Sequence, residues 1–381
     1  MNEYFIYGER MTVGYRGVPL MKDIEIHVKR GEILTLIGPN GAGKSTILKS
    51  MIRQLKLLGG TVYLAGKPME SMTEREIAEK LSVLMTERVH PELMTCGDVV
   101  STGRYPYTGR LGILSDRDRQ VVRESMEMVH ALALYDTPFA QISDGQRQRI
   151  LLARAVCQEP DVIVLDEPTS FLDIRYKLEL LTILKNLVQK RQVAVIMSLH
   201  ELDLAQRVSD HILCVHHDGI QRYGTPEEIF SGDYIRQLYG VTRGSYNELF
   251  GCVELEPPEG EPQVFVIGGG GAGIPVYRRL QRCGIPFVAG VLAENDVDYP
   301  VARALASQVI GEKAFCPVGE EAFDRALQAM ERCRRVICCL REFGPMNQRN
   351  RDLAEQARQA GKLEAFPVPE PEGETGTEGS A

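Results

Sequence analysis

Apolar residues along the first two-thirds of the chain alternate between strand-like and helix-like patterns. Residues 22–28 alternate apolar and polar side chains, which predicts a half-buried antiparallel strand. Residues 33–37, 162–165 and 193–198 are short, almost wholly apolar runs, typical of strands buried on both faces of a parallel sheet. A helical pattern over residues 174–190 separates the last two runs. This alternation predicts an α/β fold with a parallel sheet.

Helical periodicity dominates the middle of this region. It extends over about residues 88–160 and is clearest at 116–132, which predicts a helical subdomain inserted in the α/β core. Residues 211–215 and 220–223 flank an Asp-Gly turn, and this pattern predicts a closing hairpin.

A change in composition divides the chain. Residues 254–262 are acidic and proline-rich, which predicts a linker after a first domain of residues 1–253. A strand–turn–helix–strand pattern then restarts, and it predicts a smaller Rossmann-like α/β domain over residues 263–366. Residues 367–381 hold almost no bulky aliphatic side chain, so we expect a disordered tail.

Charge and composition argue against several functions. The formal net charge of −8 disfavours a nucleic-acid partner, because phosphate backbones attract basic surfaces. No apolar run approaches the roughly 20 residues that span a bilayer, and no secretory signal pattern is present. We therefore expect any membrane role to go through a partner. The nine cysteines lack metal-ligand spacing and suit a reducing cytoplasm.

Residues 38–46 match the phosphate-binding pattern G-x-x-x-x-G-K-[ST] between a predicted strand and a predicted helix. Glycines let the backbone N–H groups turn towards phosphates, and the positive end of the helix faces them. We expect Lys44 to reach the β- and γ-phosphates of ATP, and Ser45 to bind Mg²⁺. The predicted nucleotide-binding residues of this loop are Gly38, Asn40, Gly41, Gly43, Lys44, Ser45 and Thr46.

Two adjacent acids end the buried run of residues 162–165. Asp166 is predicted to hold Mg²⁺ through water, and Glu167 to polarise the water that attacks the γ-phosphate. A solvated strand end is the alternative interpretation. The phosphate-binding loop earlier in the chain favours the catalytic one.

Together these residues resemble the ABC-transporter ATPase family over about residues 3–250. In the order of that family, Tyr15 matches the aromatic residue that stacks on adenine. His200 matches the switch histidine, which implies a catalytic contact with the γ-phosphate. Residues 103–107 and 197–205 look like those of ATPases from iron-siderophore, haem and cobalamin importers.

The resemblance also implies a homodimer, arranged head to tail, that encloses two ATP molecules. Residues 142–146 resemble the family signature LSGGQ, so Ser143, Gly145 and Gln146 are expected at the ATP of the opposite subunit. Asp173 looks like the aspartate that crosses the dimer interface.

Two positions depart from the family pattern. Thr86 stands where the family usually has a glutamine that senses Mg²⁺, so Thr86 is predicted to contact the metal, or Glu87 takes part instead. Asp144 replaces the first glycine of the signature pair, and its carboxylate would repel the γ-phosphate if it faced it.

The resemblance implies an ATPase subunit at the cytoplasmic face of the membrane. Transmembrane permease subunits would dock about residues 88–110, and an external binding protein would act indirectly by selecting the cargo. One alternative is a soluble, non-transport ABC ATPase of translation or repair.

The second domain carries a weaker motif. Residues 268–273 fit G-x-G-x-x-G between a strand and a helix, and Glu294 follows the next strand. This pattern predicts NAD or an adenine nucleotide, bound by Gly268, Gly270, Gly273 and Glu294, in a sensing role. A nucleotide-free glycine turn and a nucleotide-dependent enzyme are the alternatives.

Overall fold

The computed structural model divides into two units, Met1–Gly240 and Val241–Ala381. The predicted boundary at residue 253 falls inside the second unit, and the predicted tail of residues 367–381 lies outside the described residues. The structure describes residues 3–85, 93–109, 112–170, 172–247 and 250–364.

The first unit contains two sheets. Its strands are β1 (Ile6–Tyr15), β2 (Val18–Val28), β3 (Ile33–Ile37), β4 (Gly59–Leu64), β5 (Lys67–Pro68), β6 (Leu81–Leu84), β7 (Val162–Asp166), β8 (Ala194–Ser198), β9 (His211–His216) and β10 (Gly219–Gly224). An antiparallel sheet has the order β2-β1-β4-β5, and the principal sheet has the order β10-β9-β3-β8-β7-β6. The principal sheet is parallel from β9 to β6, as predicted, and β10 closes it as an antiparallel edge strand.

The described part of the first unit contains nine helices, and six of them begin at a side chain that accepts a hydrogen bond from an N–H group of the first turn. The nine helices are α1 (Lys44–Met51), α2 (Glu74–Ala78), α3 (Cys96–Ser101), α4 (Asp116–Met128), α5 (Asp144–Cys157), α6 (Ile174–Arg191), α7 (Leu202–Val208), α8 (Pro226–Ile229) and α9 (Tyr234–Leu238). Short 3-10 turns occupy Met69–Ser71, Thr102–Arg104, Leu132–Leu134 and Phe139–Gln141. Thr95, Ser115 and Ser143 each form a capping box with the third helical residue, which satisfies two free N–H groups.

Two of these helices are shorter than the periodicity predicts. The pattern extended α1 to about residue 56 and α4 to residue 132. Each ends early where a residue just beyond the helix takes the left-handed conformation, Arg53 at φ 61° and His130 at φ 51°. A left-handed residue breaks the helical hydrogen bonds at a helix end.

A buried ion-pair cluster joins the helical segments. Arg104 donates its Nε–H to Asp118 at 2.9 Å and its Nη1–H groups to Glu159 and to the carbonyl of Cys157, each at 2.8 Å. Asp118 belongs to α4, and Cys157 ends α5. One buried guanidinium therefore fixes the position of one helix against the end of the other.

We predict that Arg104→Ala lowers the free energy of unfolding by about 3 kcal/mol, because it leaves Asp118 buried without its cation. Arg119→Ala is the matched control, since its ion pair with Asp116 is exposed and should contribute little. Urea titration followed by circular dichroism measures both. An Arg104→Ala midpoint equal to that of Arg119→Ala would contradict the assignment.

The second unit is a Rossmann-like α/β domain. Its strands are β11 (Ser245–Asn247), β12 (Cys252–Glu254), β13 (Val264–Ile267), β14 (Phe287–Ala293), β15 (Gln308–Glu312), β16 (Arg335–Cys338) and β17 (Leu363–Glu364), and its helices are α10 (Ile274–Arg282), α11 (Asp298–Leu305), α12 (Glu320–Arg332) and α13 (Gln348–Gln359). A parallel sheet has the order β15-β14-β13-β16-β17. Separate apolar clusters, one packed with α10 and α11 and the other with α12 and α13, cover its two faces.

The predicted linker begins inside this second unit. β11 and β12 form an antiparallel hairpin, and Glu254 at its end is buried and pairs with Arg278 of α10. In the described part of the chain, no helix combines the length and apolar character needed to cross a bilayer.

Candidate active site

The strand order of the principal sheet determines which loops meet. β8 lies between β3 and β7, and all three strands are parallel and buried. The loops after their carboxyl ends therefore open at the same edge. They carry the predicted phosphate-binding loop, the acidic pair and His200.

Glycines are required in the phosphate-binding loop. Gly38, Gly41 and Gly43 adopt positive φ angles of 147°, 76° and 101°. A Cβ atom on Gly38 would lie 1.9 Å from the carbonyl oxygen of Val215, so this position tolerates no side chain. Asn40 is exposed at the tip of the loop.

Lys44 lies inside this loop with only 6% of its surface exposed. Its Nζ donates to the carbonyl oxygens of Gly38 at 2.7 Å and Pro39 at 3.0 Å. Burial lowers the pKa of Lys44, while the carboxylates of Glu167 and Asp166 act in the opposite direction. A triphosphate would favour the charged form of this amine, because it brings negative charge to a partly desolvated cation.

The predicted metal ligands Ser45 and Asp166 are neighbours. The Ser45 hydroxyl donates to Asp166 Oδ1 at 3.0 Å, and the Ser198 hydroxyl donates to the same oxygen at 2.7 Å. A hydroxyl and a carboxylate on one small site are hard oxygen ligands that fit Mg²⁺. Thr86, the other predicted metal contact, lies outside the described residues.

Glu167 is held at both ends. Its backbone N–H donates to Ser198 Oγ at 2.9 Å, and its φ of 49° turns the chain sharply after β7. Its Oε1 lies 2.6 Å from His200 Nε2, and Ser170 donates to its Oε2 at 3.2 Å. The structure thus brings together the carboxylate predicted to activate water and the predicted switch histidine.

Tyr15 lies at the border of the phosphate-binding loop. Its hydroxyl is 3.0 Å from Thr46 Oγ1, and half of its surface is exposed. An exposed ring beside the first turn of α1 is available to stack on an adenine.

The signature residues make contacts with their own helices. Ser143 accepts the Gln146 N–H at 3.3 Å, and Gln146 Oε1 accepts the Ser143 N–H at 2.9 Å. A Cβ atom on Gly145 would lie 3.3 Å from the ring of Tyr176, whose N–H donates to Asp173 at 3.0 Å. Ser143, Gly145, Gln146 and Asp173 therefore form a second group, around the starts of α5 and α6.

Asp144 is paired within its own helix. Its carboxylate accepts Arg147 Nη1–H at 2.9 Å and is 61% exposed. The Arg147 guanidinium lies 5.5 Å from the centre of the Phe139 ring, which holds it beside Asp144. The charge that replaces a glycine in the signature thus has a neighbouring cation.

Sequence reasoning missed two residues that position this site. Ser198 is fully buried and bridges Asp166 to Glu167; the signal was a serine at the end of the otherwise apolar β8. Glu201 accepts hydrogen bonds from Thr169 at 2.8 Å and Lys177 at 2.6 Å, which ties the loop after β8 to the loop after β7 and to α6.

In the second unit, the predicted dinucleotide loop has its N–H groups already bonded. Asp298 Oδ2 accepts from Gly269 at 2.6 Å and from Gly273 at 2.8 Å. The Asp296 carboxylate accepts from Gly270 at 2.9 Å. These carboxylates stand where a pyrophosphate would need the same amides, so the loop does not fit NAD or another dinucleotide.

The other predicted residues of this motif have different surroundings. Cβ atoms on Gly268 and Gly273 would lie 2.1 and 2.4 Å from the hydroxyl of Tyr277, so packing alone requires these glycines. Glu294 has an exposed side chain, and its backbone N–H donates to the carbonyl of Glu312 at 2.9 Å.

Comparison with known proteins agrees with the geometry of the first unit. The sequence profile of the ABC transporter family matches residues 21–170. An uncharacterized ABC transporter ATP-binding protein of Methanocaldococcus jannaschii is 41% identical over 286 residues, which are 75% of this chain and 99% of that protein. The chain belongs to the ATP-binding proteins of ABC transporters. It is therefore an ATPase, and its first unit is the ATP-binding cassette.

Relatives with more specific names are also similar. An iron(3+)-hydroxamate import ATP-binding protein of Bacillus subtilis is 34% identical over 61% of this chain and 87% of its own length. A cobalamin import ATP-binding protein of Halobacterium salinarum is 31% identical over 77% of this chain and 75% of its own length.

Solved structures confirm the fold of the cassette. A cassette in its ADP conformation superposes with a TM-score of 0.56 at 21% identity, covering 63% of this chain and 100% of that one. A dimeric post-hydrolysis cassette bound to ADP and phosphate gives 0.52 at 23% identity, over 58% and 98%. Residues 287–378 match the profile of the MJ0874 family.

We predict that Ser198→Ala lowers the ATPase rate of the cassette by about tenfold, since it removes a hydrogen bond to a charged group that positions the active-site loop. Nucleotide affinity should change less than threefold. Ser231→Ala is the control, because its hydroxyl donates to the exposed carbonyl of Glu228. Steady-state hydrolysis and a fluorescent-nucleotide titration separate the two effects. Equal rates in both variants would contradict a positioning role.

Proposed function

We propose that this chain is the ATP-hydrolysing subunit of an importer and acts as a homodimer on the cytoplasmic face of a permease. The observation that carries the proposal is the set of contacts joining Asp166, Ser198, Glu167 and His200 beside the phosphate-binding loop. These contacts supply the polar groups that in-line attack on a γ-phosphate needs.

In this proposal each residue has a chemical role. Lys44 and the loop amides hold the β- and γ-phosphates, and Ser45 with Asp166 would hold Mg²⁺, which neutralises developing charge when bound. Glu167 accepts a proton from the attacking water through its carboxylate. His200 orients that carboxylate and contacts the γ-phosphate oxygens.

The separate grouping of the signature residues supports a composite site. The N-terminal amides of α5 carry partial positive charge, and they would face the γ-phosphate of the opposite subunit. ATP then lies between two copies and stabilises their association. Hydrolysis removes this link, so the two copies can separate.

A groove in the cassette supports docking on a permease. It has a volume of about 290 Å³ and is lined by Ile52, Met85, Leu151 and Arg154, among others. Exposed apolar side chains follow in the helical segment, with Leu93 99% and Tyr105 62% exposed. We propose a cytoplasmic permease helix as the occupant of the groove, with the exposed apolar side chains as further contacts.

The cargo we propose is a metal chelate of the siderophore or cobalamin type, on the basis of the relatives' names. The direct experiment places the chain with a candidate permease and binding protein in proteoliposomes. ATP-dependent uptake of a ferric hydroxamate or of cobalamin is expected. ATPase activity with no permease association in any such reconstitution would favour the non-transport alternative.

We predict that Glu167→Gln binds ATP but hydrolyses it at least about 100-fold more slowly, because an amide is a far weaker base than a carboxylate. The variant should elute as a dimer with ATP and as a monomer without it. Lys44→Ala/Glu167→Gln is the control and should remain monomeric. A single elution position for Glu167→Gln with and without ATP would argue against the sandwich.

We also predict that Arg147 neutralises Asp144 during dimerisation. In the Glu167→Gln background, Arg147→Gln should weaken ATP-driven association about fivefold, because it leaves the Asp144 carboxylate unpaired near phosphate. Adding Asp144→Gly should restore it, while Asp144→Gly alone should have little effect. Sedimentation at several ATP concentrations measures this cycle. If Glu167→Gln/Arg147→Gln/Asp144→Gly associates as weakly with ATP as Glu167→Gln/Arg147→Gln does, Arg147 acts on the phosphate itself.

A further inference from the structure

The second unit contains a cavity that the chemistry of the cassette does not use. Its volume is about 530 Å³, a size that suits a small molecule. It is lined at or just beyond the carboxyl ends of β13, β14, β15 and β16 by Gly269, Ala293, Glu312 and Leu340.

The position of this cavity in the sheet is that of a ligand site. The chain runs from β13 outwards through β14 to β15, and then returns to the opposite side of β13 for β16. Ligands of open parallel sheets bind at the carboxyl ends of the strands where the order reverses in this way. The fold therefore provides a binding position independently of the side chains that line it.

The glycine-rich loop at one wall has N–H groups that already donate hydrogen bonds within the chain. Asp296 and Asp298 occupy the amides of Gly269, Gly270 and Gly273 with their carboxylates. An incoming phosphate would meet the carboxylate of Asp296 at the wall and no free amide at these three glycines. This wall disfavours phosphate-bearing ligands.

The remaining polar lining has the same sign. Glu312 and Glu342 line the cavity with Asp296, and the described lining residues include no lysine or arginine. The amides of Gly319 and Lys313 donate to Glu312 at 2.8 and 3.0 Å and lower its pKa, so it is ionised at neutral pH. Lys313 and Arg325 are the cations that act on Glu312, and neither of them lines the cavity.

Apolar side chains form the rest of the wall. Val291 and Ala293 come from β14, and Val318, Leu340 and Met346 come from the loops that follow β15 and β16. A ligand that fills the cavity would thus meet an apolar surface on one part of its body and carboxylates on another.

We propose that this cavity binds a small molecule with an apolar body and a positive charge, and that Asp296 and Asp298 close the glycine-rich loop as a structural clasp. The glycine spacing then reflects the clasp and the packing of Tyr277, not a nucleotide. The proposal is independent of the cargo and of the dimer.

Cys316 offers a reporter at this site, because it lines the cavity and is exposed. We would measure its labelling in the full chain with two methanethiosulfonates of similar size. One carries a trimethylammonium group and the other a sulfonate. Rates come from mass spectrometry of the Cys316 peptide and are normalised to the same pair of rates for 2-mercaptoethanol.

The normalised preference of Cys316 for the cationic reagent should be about fivefold or more, because nearby carboxylates raise the local concentration of cations. Glu342→Gln, a substitution at an exposed residue of the lining, should reduce this preference by about half. Cys283 is exposed, does not line the cavity, and should show no preference. NAD at about 1 mM should leave Cys316 labelling unchanged. Because the readout is local to this cavity, any binding of NAD to the cassette would not affect it.

Two results would overturn the proposal. One is a cationic-to-anionic labelling ratio at Cys316 that equals the ratio for 2-mercaptoethanol. A ratio that Glu342→Gln leaves unaltered would count equally against the proposal. The other is protection of Cys316 by NAD, which would show that the loop opens to receive a dinucleotide after all.

Discussion

The hydroxyl of Ser198 is the contact on which the active site of the cassette depends. It donates to Asp166 and accepts the N–H of Glu167, so one buried atom fixes both carboxylates at the end of β7. It can do so because β8 lies between β3 and β7. The same strand order brings Ser45 from α1 to Asp166 on one side and His200 to Glu167 on the other.

This constraint explains why a short set of contacts suffices for the chemistry. Buried polar groups are stable only when they are hydrogen-bonded, and here each bond also positions a group to which we assign a role in the proposed reaction. Glu201 extends the arrangement, because its bonds to Thr169 and Lys177 hold the loops after β7 and β8 together. The signature residues are grouped elsewhere, and in our account they complete the site of a second copy.

Much of this architecture was predictable from the sequence because its signals are local. The apolar runs predicted β3, β7 and β8 almost to the residue, and the glycine spacing predicted the phosphate-binding loop. Ser198 was missed because its role depends on two neighbouring strands that are distant in sequence. The ends of α1 and α4 were missed because the left-handed residues there are an arginine and a histidine, not glycines.

The second unit shows the opposite limit of local reasoning. Its glycine pattern matches that of a dinucleotide loop, yet the amides bond Asp296 and Asp298, which lie more than 20 residues further along the chain. The predicted linker begins inside the second unit for a similar reason, since Glu254 is buried and pairs with Arg278. In both cases the deciding contact is between residues that no sequence window includes together.

The central claim is that the active site is completed by a second copy of the chain. The most direct test is the ATPase rate per molecule of the full-length protein, measured over a wide range of protein concentrations at saturating ATP and Mg²⁺. A composite site predicts that this specific rate rises with concentration and reaches a plateau once dimers predominate. A specific rate that stays constant from the lowest to the highest concentration, with the protein monomeric throughout, would contradict it.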